Sequence, residues 1–307
     1  MKNYEQWNLP HCTWSSVEEF ENQWNRSAGV HSITMPEGYV LDILANEHVD
    51  TADARLSLLV FFGAAVARRE AKSGPFFSGV GLSNGCKFPL VAISDPSVDN
   101  FDSVNLAWYT GGAKQNFQKN VELLLRALVR ATNRELLMSG GSGGGFAALH
   151  FSSLLGDVAS AFVWNPQTDI FEYNEVFVKS YLREVFGFAH SSLARPDWKA
   201  FCRGRINQHV ISSVAVESTI QNPHRILYLQ NHSDWHTEGH LLPLLSTFSK
   251  DSLAAQKGSH VLAARKLVVI EDFALGHAPP PTALITMILK QMIDPTVDPA
   301  DVNLQLN

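Results

Sequence analysis

Between Glu135 and His150 the chain reads Glu-Leu-Leu-Met-Ser-Gly-Gly-Ser-Gly-Gly-Gly-Phe-Ala-Ala-Leu-His, and no other stretch limits the fold as tightly. The apolar run Leu136 to Met138 reads as the end of a buried strand, and the helix-forming Phe146-Ala147-Ala148-Leu149 follows within a few residues. In between, five of the six residues 140–145 are glycine, and Ser142 is the one with a side chain. Gly140-x-Ser142-x-Gly144 is what a sharp strand-to-helix turn needs if a single serine is to be held with its oxygen exposed, because flanking Cβ atoms would collide there. The helix that follows turns its unpaired N–H groups and positive dipole end toward the same place. An oxyanion formed when Ser142 attacks a carbonyl would sit in that field.

Other glycine-rich turns fit less well. A phosphate-cradling P-loop requires a Lys-Ser or Lys-Thr, which is absent, and Gly143-x-Gly145-x-x-Ala148 lies mid-chain, whereas a dinucleotide fingerprint opens the first βα unit. A purely structural loop remains an alternative.

The surrounding pattern is that of an α/β protein. His31 to Met35 and Tyr39 to Leu44 read as two strands joined at Pro36-Glu37-Gly38, so the sheet is expected to open antiparallel. Leu56 to Phe62, Phe88 to Ile93, Ser160 to Trp164, Arg225 to Leu229 and Lys266 to Ile270 are continuous apolar runs of the kind buried in a parallel sheet. Helical spacing of Phe117, Val121, Leu124, Leu125 and Leu128 predicts a helix from Lys114 to Ala131. Further helices are expected at about 144–155, Leu241 to Phe248 and Thr282 to Ile293, with a loop or short helix at 75–86. Strand and helix alternating at these intervals imply a mostly parallel central sheet flanked by helices. Residues 167–223 break the rhythm with amphipathic stretches over Asn174–Phe186 and Pro196–Val214. They are expected to form a helical cap insertion carrying Trp198, Phe177, Tyr181 and Phe186, or to anchor those aromatics to the body. Residues 1–30 read as an irregular or helical lead-in, leaving 31–166 and 224–307 as the core.

At 307 residues and 45% apolar composition the chain can build one large core. No stretch approaches ~20 consecutive apolar residues, so no membrane span is expected. The polar, acidic start lacks the basic-then-apolar order of a secretory signal, which predicts a cytoplasmic protein. Cys12, Cys86 and Cys202 are few, odd in number and far apart, as expected for reduced thiols. A net charge of −6 without a basic run argues against nucleic acid or an anionic membrane as the main partner.

A serine hydroxyl needs a base within hydrogen-bond reach and a carboxylate to orient that base. His277 lies seven residues after the last predicted strand, behind Gly276 and ahead of Pro279-Pro280-Pro281, which stiffen the loop. Asp234 lies five residues after the preceding strand, also at the carboxyl edge. His236 and His240 are rival bases, Asp169 is a rival acid, and Asp95 and Asp272 are further candidates for either acid or loop-ordering roles. His232-x-Asp234-x-His236-x-x-x-His240 reads alternatively as a metal-ligand cluster, although it leaves the glycine turn unexplained. For the oxyanion hole one N–H is expected from Gly143 and a second from the loop after Leu56–Phe62, from Ala64 or Gly63.

Gly140-Gly-Ser142-Gly-Gly144 after a strand, Asp234 after the penultimate strand and Gly276-His277 after the last one resemble the α/β-hydrolase superfamily across residues 35–293. The resemblance implies a Ser-Asp-His triad in that chain order and acyl-transfer chemistry without a bound cofactor or metal. A His-Gly-Gly-Gly oxyanion motif of common esterases is missing. Within the chain, Val91-Ala-Ile-Ser-Asp-Pro-Ser97, Trp164-Asn-Pro-Gln-Thr168 and Asp234-Trp-His236 are similar to small bacterial proteins associated with surface-polysaccharide biosynthesis. Some of these are O-acetyltransferases acting on glycans; together the two resemblances imply a small-molecule or glycan ester substrate, with acetyl-CoA as co-substrate if the chain is an acetyltransferase. A non-catalytic hydrolase-fold scaffold is the remaining alternative.

Overall fold

A computed structural model describes residues 2–66, 73–247 and 256–305. Among these described residues ten strands form one sheet: β1 (His11–Trp14), β2 (Gly29–Thr34), β3 (Val40–Ala45), β4 (Leu58–Phe62), β5 (Leu90–Ile93), β6 (Leu136–Gly141), β7 (Ala159–Trp164), β8 (Arg225–Asn231), β9 (Gly258–Ala263) and β10 (Lys266–Glu271). Their order across the sheet is β1-β2-β3-β5-β4-β6-β7-β8-β10-β9. From β5 through β4, β6, β7 and β8 to β10 every pair is parallel, and β3 runs antiparallel to both β2 and β5. Helices on both faces explain why β4, β6, β7 and β8 are buried throughout and read as unbroken apolar runs. Each fully buried Leu, Val or Phe there contributes roughly 1.5–3 kcal/mol relative to exposure.

The helices Phe117–Thr132 and Thr282–Met292 lie close to their sequence-predicted spans. Two edge strands do not. Residues 1–30 were expected to be irregular or helical, yet β1 pairs parallel with β2, His11 opposite Val30, ahead of a helix at Val17–Gln23. On the opposite edge β9 pairs antiparallel with β10 where no strand is predicted. Edge strands face solvent along much of their length, so their sequences carry no long apolar run: β1 alternates exposed and half-buried residues, and β9 has no fully buried residue. After β8 the chain forms a π-helical turn, Thr237–Leu241, and then Leu242–Leu245, where one helix over Leu241 to Phe248 is predicted; Phe248 itself lies outside the described residues.

Arg225 ties the C-terminal segment to the sheet. Its buried guanidinium donates to Ser160 Oγ at 3.1 Å and to the carbonyls of Asp294, Val297 and Met292 at 2.8, 2.8 and 3.1 Å. Burial, with Arg265 nearby, lowers its pKa to about 10, which leaves it charged at neutral pH. Arg225→Met keeps the length but removes the donor from Ser160 Oγ and from the carbonyls of Met292 and Asp294, while the Val297 carbonyl keeps Arg265 at 3.2 Å. It is expected to destabilise the protein by about 3 kcal/mol, read as a shift in the urea midpoint.

Candidate active site

Gly140 and Gly141 end β6, and Ser142 opens the helix Ser142–Leu155. Ser142 has φ of 53°, in the left-handed region that costs a non-glycine residue roughly 1–2 kcal/mol. The turn is so close to β4 that a Cβ on Gly144 would collide with the carbonyl oxygen of Phe62, and one on Gly140 would lie 2.8 Å from that same oxygen and 2.7 Å from the Gly144 carbonyl carbon. Those contacts are backbone, which cannot swing aside, and so the glycines allow the serine to be presented at the carboxyl edge of the sheet.

Three loops at that edge bring Ser142, Asp234 and His277 together. Ser142 Oγ lies 2.9 Å from His277 Nε2, and His277 Nδ1 lies 2.8 Å from Asp234 Oδ2. Asp234 is 3% exposed; its carboxylate also accepts from the His236 N–H at 3.0 Å and from Gln230 Nε2 at 3.2 Å. Those bonds leave the Nδ1–H of His277 facing the acid and Nε2 facing the serine, the tautomer in which Nε2 can accept a proton.

Two asparagines that the sequence reading missed fix the histidine loop. Asn231, at the end of β8, donates to the carbonyls of Gly276 at 2.8 Å and Ala278 at 2.7 Å and accepts from the Ala274 N–H at 3.1 Å. Asn165, just after β7, donates to the Ala278 carbonyl at 3.0 Å and accepts from the Asn231 N–H at 2.7 Å. Both are buried, and both are amides within two residues of the carboxyl end of an apolar run, which is the signal that could have found them. Gln167 was missed as well: its Nε2 is 2.8 Å from Ser142 Oγ.

The rival residues have other partners. Asp169 accepts from the Phe171 N–H at 2.9 Å and from Arg203 at 2.5 Å, while Asp95 caps the helix Pro96–Asn100 through the Ser97 N–H. Asp272 pairs with Lys257 at the surface. His240 Nδ1 accepts from the Thr168 N–H at 3.2 Å. His232 Nδ1 is 3.7 Å from Asp272 Oδ1, on a half-exposed side chain. The cluster His232, Asp234, His236 and His240 therefore does not assemble. Among the described residues, Asp234, His236 and His277 are the one group of three metal-ligating side chains whose donor atoms lie within 4.8 Å of one another, and two of those are already hydrogen-bonded together.

His236 is fully buried, with its ring centroid 3.7 Å from that of His277 and 3.9 Å from that of Trp235. Burial, with His277 and His240 close by, lowers its pKa to about 2, so it is neutral. Because the folded value is below the ordinary 6.5, its contribution to stability is present above pH 6.5 and is lost as the pH falls toward 2. His236→Phe is therefore expected to lose about 1.4 kcal/mol less stability than the wild type between pH 7.5 and 5.5, measured by urea denaturation at both pH values. If His236 ligates an essential metal, the same variant loses its turnover.

For the oxyanion donors, the Gly63 N–H is already engaged, donating to Tyr109 Oη at 2.7 Å. In this arrangement the Gly63 N–H is not directed at the space beside Ser142. Ala64 lines a cavity of about 360 Å³ together with Phe61, Phe62, Ser142, Trp164 and His277. Tyr173, from the segment between β7 and β8, also lines it. Tyr181 and Trp198 of the same segment are buried, and the Tyr181 hydroxyl donates to the Gly111 carbonyl at 2.8 Å, so these two act as anchors. Phe177 and Phe186 are half-buried against the same core. Among the described residues no helix is long and apolar enough to cross a membrane.

No protein-family profile matches the chain, and no curated protein matches it. Solved structures do. The capsule O-acetyltransferase of Neisseria meningitidis serogroup A aligns over 88% of this chain and 97% of its own, at 13% identity with a TM-score of 0.56; a variant of it in complex with CoA aligns with a TM-score of 0.55. Carboxyl esterase 2 from the fungus Tuber melanosporum aligns over 91% of this chain and 90% of its own, at 12% identity with a TM-score of 0.51. Likeness at such identities speaks to architecture, and by its architecture this chain has the α/β-hydrolase fold.

Proposed function

We propose that the protein is a serine-dependent acyl-transfer enzyme. The observation that carries this reading is the single line of hydrogen bonds from Ser142 Oγ through His277 to the buried Asp234. His277 Nε2 takes the hydroxyl proton as Oγ attacks an ester or thioester carbonyl, the N–H groups of Gly143 and Ala64 hold the oxyanion, and Asp234 stabilises the imidazolium. His277 then returns its proton to the leaving alcohol or thiol, and the acyl group stays on Ser142. Water or a sugar hydroxyl, deprotonated by His277, resolves the acyl-enzyme. The first gives a carboxylic ester hydrolase and the second an O-acyltransferase.

The apolar part of the cavity wall, Phe61, Phe62, Ala64, Ala65, Trp164 and Pro279, suits a short uncharged acyl group such as acetyl, while Ser78, Asn165 and Tyr173 line other parts of it. The fold it shares with a capsule O-acetyltransferase supports a glycan acceptor and acetyl-CoA as donor. Trp235, 55% exposed with its ring centroid 6.3 Å from that of His277, offers a flat apolar face on which a sugar ring could stack.

The discriminating experiment incubates pure protein with an activated acetate ester, and separately with acetyl-CoA, with and without acetylated or unmodified polysaccharide. Free acetate alone identifies the esterase, and acetylated sugar identifies the transferase. No turnover of any donor, with Ser142 unmodified, would leave only a hydrolase-fold scaffold.

A further inference from the structure

Among the described residues two side chains reach Ser142 Oγ, and the proposed mechanism uses only His277. The other is Gln167, fully buried in the loop after β7, within the stretch Trp164-Asn-Pro-Gln-Thr168. A carboxamide can be turned either way, and which end faces the serine decides what it does. Here the far end settles the matter. Gln167 is bonded to the indole Nε1–H of buried Trp108, a group that can only donate, so the Gln167 oxygen must face Trp108 and Nε2 must face Ser142. The backbone holds the same register: the Gln167 N–H donates to the Ser142 carbonyl at 3.1 Å.

With Nε2 donating to Oγ at 2.8 Å, the serine proton cannot point toward Gln167 and is directed to His277 Nε2 at 2.9 Å. Donation then runs one way, from Trp108 through Gln167, Ser142 and His277 to Asp234, and each bond polarises the next. In the sheet β6 lies between β4 and β7, so Gln167 approaches from the side opposite the Gly63–Ala64 loop. It therefore serves the serine oxygen and not the substrate's carbonyl oxygen.

We infer that Gln167 is a catalytic residue, a neutral donor that stabilises the negative charge on Ser142 Oγ each time that charge develops. In acylation the Oγ–C bond forms as the hydroxyl proton passes to His277 and the carbonyl electron pair moves onto its oxygen. In the return step the acceptor's proton passes to His277, the acceptor oxygen bonds to the acyl carbon, and the C–Oγ electron pair returns to Oγ, which recovers a proton from His277. Gln167 stays unchanged in both. This inference rests on the proposed acyl-transfer reading.

The test measures the second-order rate at which a fluorophosphonate modifies Ser142, by intact-protein mass spectrometry, with thermal unfolding as the check on folding. Gln167→Met fills the same space without a donor and is expected to react about 10–100-fold more slowly than the wild type, in line with the loss of a hydrogen bond to a charge-bearing atom. Gln167→Glu, of equal size, offers Ser142 an acceptor in competition with His277 and is expected to be slower still. A merely structural role does not produce that ranking. If either folded variant reacts within twofold of wild type, the inference is overturned while the acyl-transfer reading stands. If the Met variant does not fold, the Glu variant decides by the same criterion. If the wild type itself is not modified at Ser142, the acyl-transfer reading fails and this inference fails with it.

Discussion

Ser142→Ala is expected to reduce turnover of an activated acetate ester by at least ~10⁴-fold while leaving the protein folded. The size follows from the chemistry: without the hydroxyl, the His277–Asp234 pair can only activate water, and the acyl-enzyme route is closed. Little structural damage is expected. Among the described residues Ser142 Oγ is engaged by only two side chains, Gln167 and His277, and the glycines around it sit in close backbone contact. Steady-state kinetics with calorimetry on the same sample check both halves. Undiminished turnover would remove Ser142 as the nucleophile.

The second large effect is on folding. Gly144→Ala is expected to destabilise the protein by about 3 kcal/mol or more, because the added methyl would overlap the Phe62 carbonyl oxygen and approach the Gly63 oxygen to 2.9 Å. Both belong to the β4 end, which cannot shift without opening its ladders to β5 and β6. Since β4 leads into Ala64, the variant is also expected to lose activity in whatever fraction stays folded. A urea midpoint within experimental error of wild type would show that the turn is looser than the contact distances require.

What was legible in the sequence depended on burial. The interior strands β4 to β8 are packed on both faces, and that burial demands continuous apolar runs, so they and the parallel architecture were readable. The edge strands β1 and β9 are held largely by backbone hydrogen bonds, which leave no side-chain signature. Ser142, Asp234 and His277 could be nominated because each follows a strand within a few residues, and strand ends converge at one rim. Gly63 could not be separated from Ala64, since the distinction depends on Tyr109, 46 residues away, whose hydroxyl takes the Gly63 N–H. Gln167 was invisible as a functional residue for the same reason: its role depends on the 59-residue separation from Trp108 being closed by the fold. The histidines of 232–240 illustrate the converse. Their spacing suggests a metal cluster, but His232 faces the surface and His240 turns to Thr168.

The central claim is that His277, oriented by Asp234, makes the Ser142 hydroxyl a nucleophile at neutral pH. Its most direct measurement compares the wild type with His277→Ala after exposure to a fluorophosphonate, locating the adduct by peptide mass spectrometry. A single adduct on Ser142 in the wild type, with labelling of the alanine variant slowed at least ~100-fold, is the result predicted here. Equal labelling of the two proteins, or a wild type that carries no adduct at Ser142, would contradict the account.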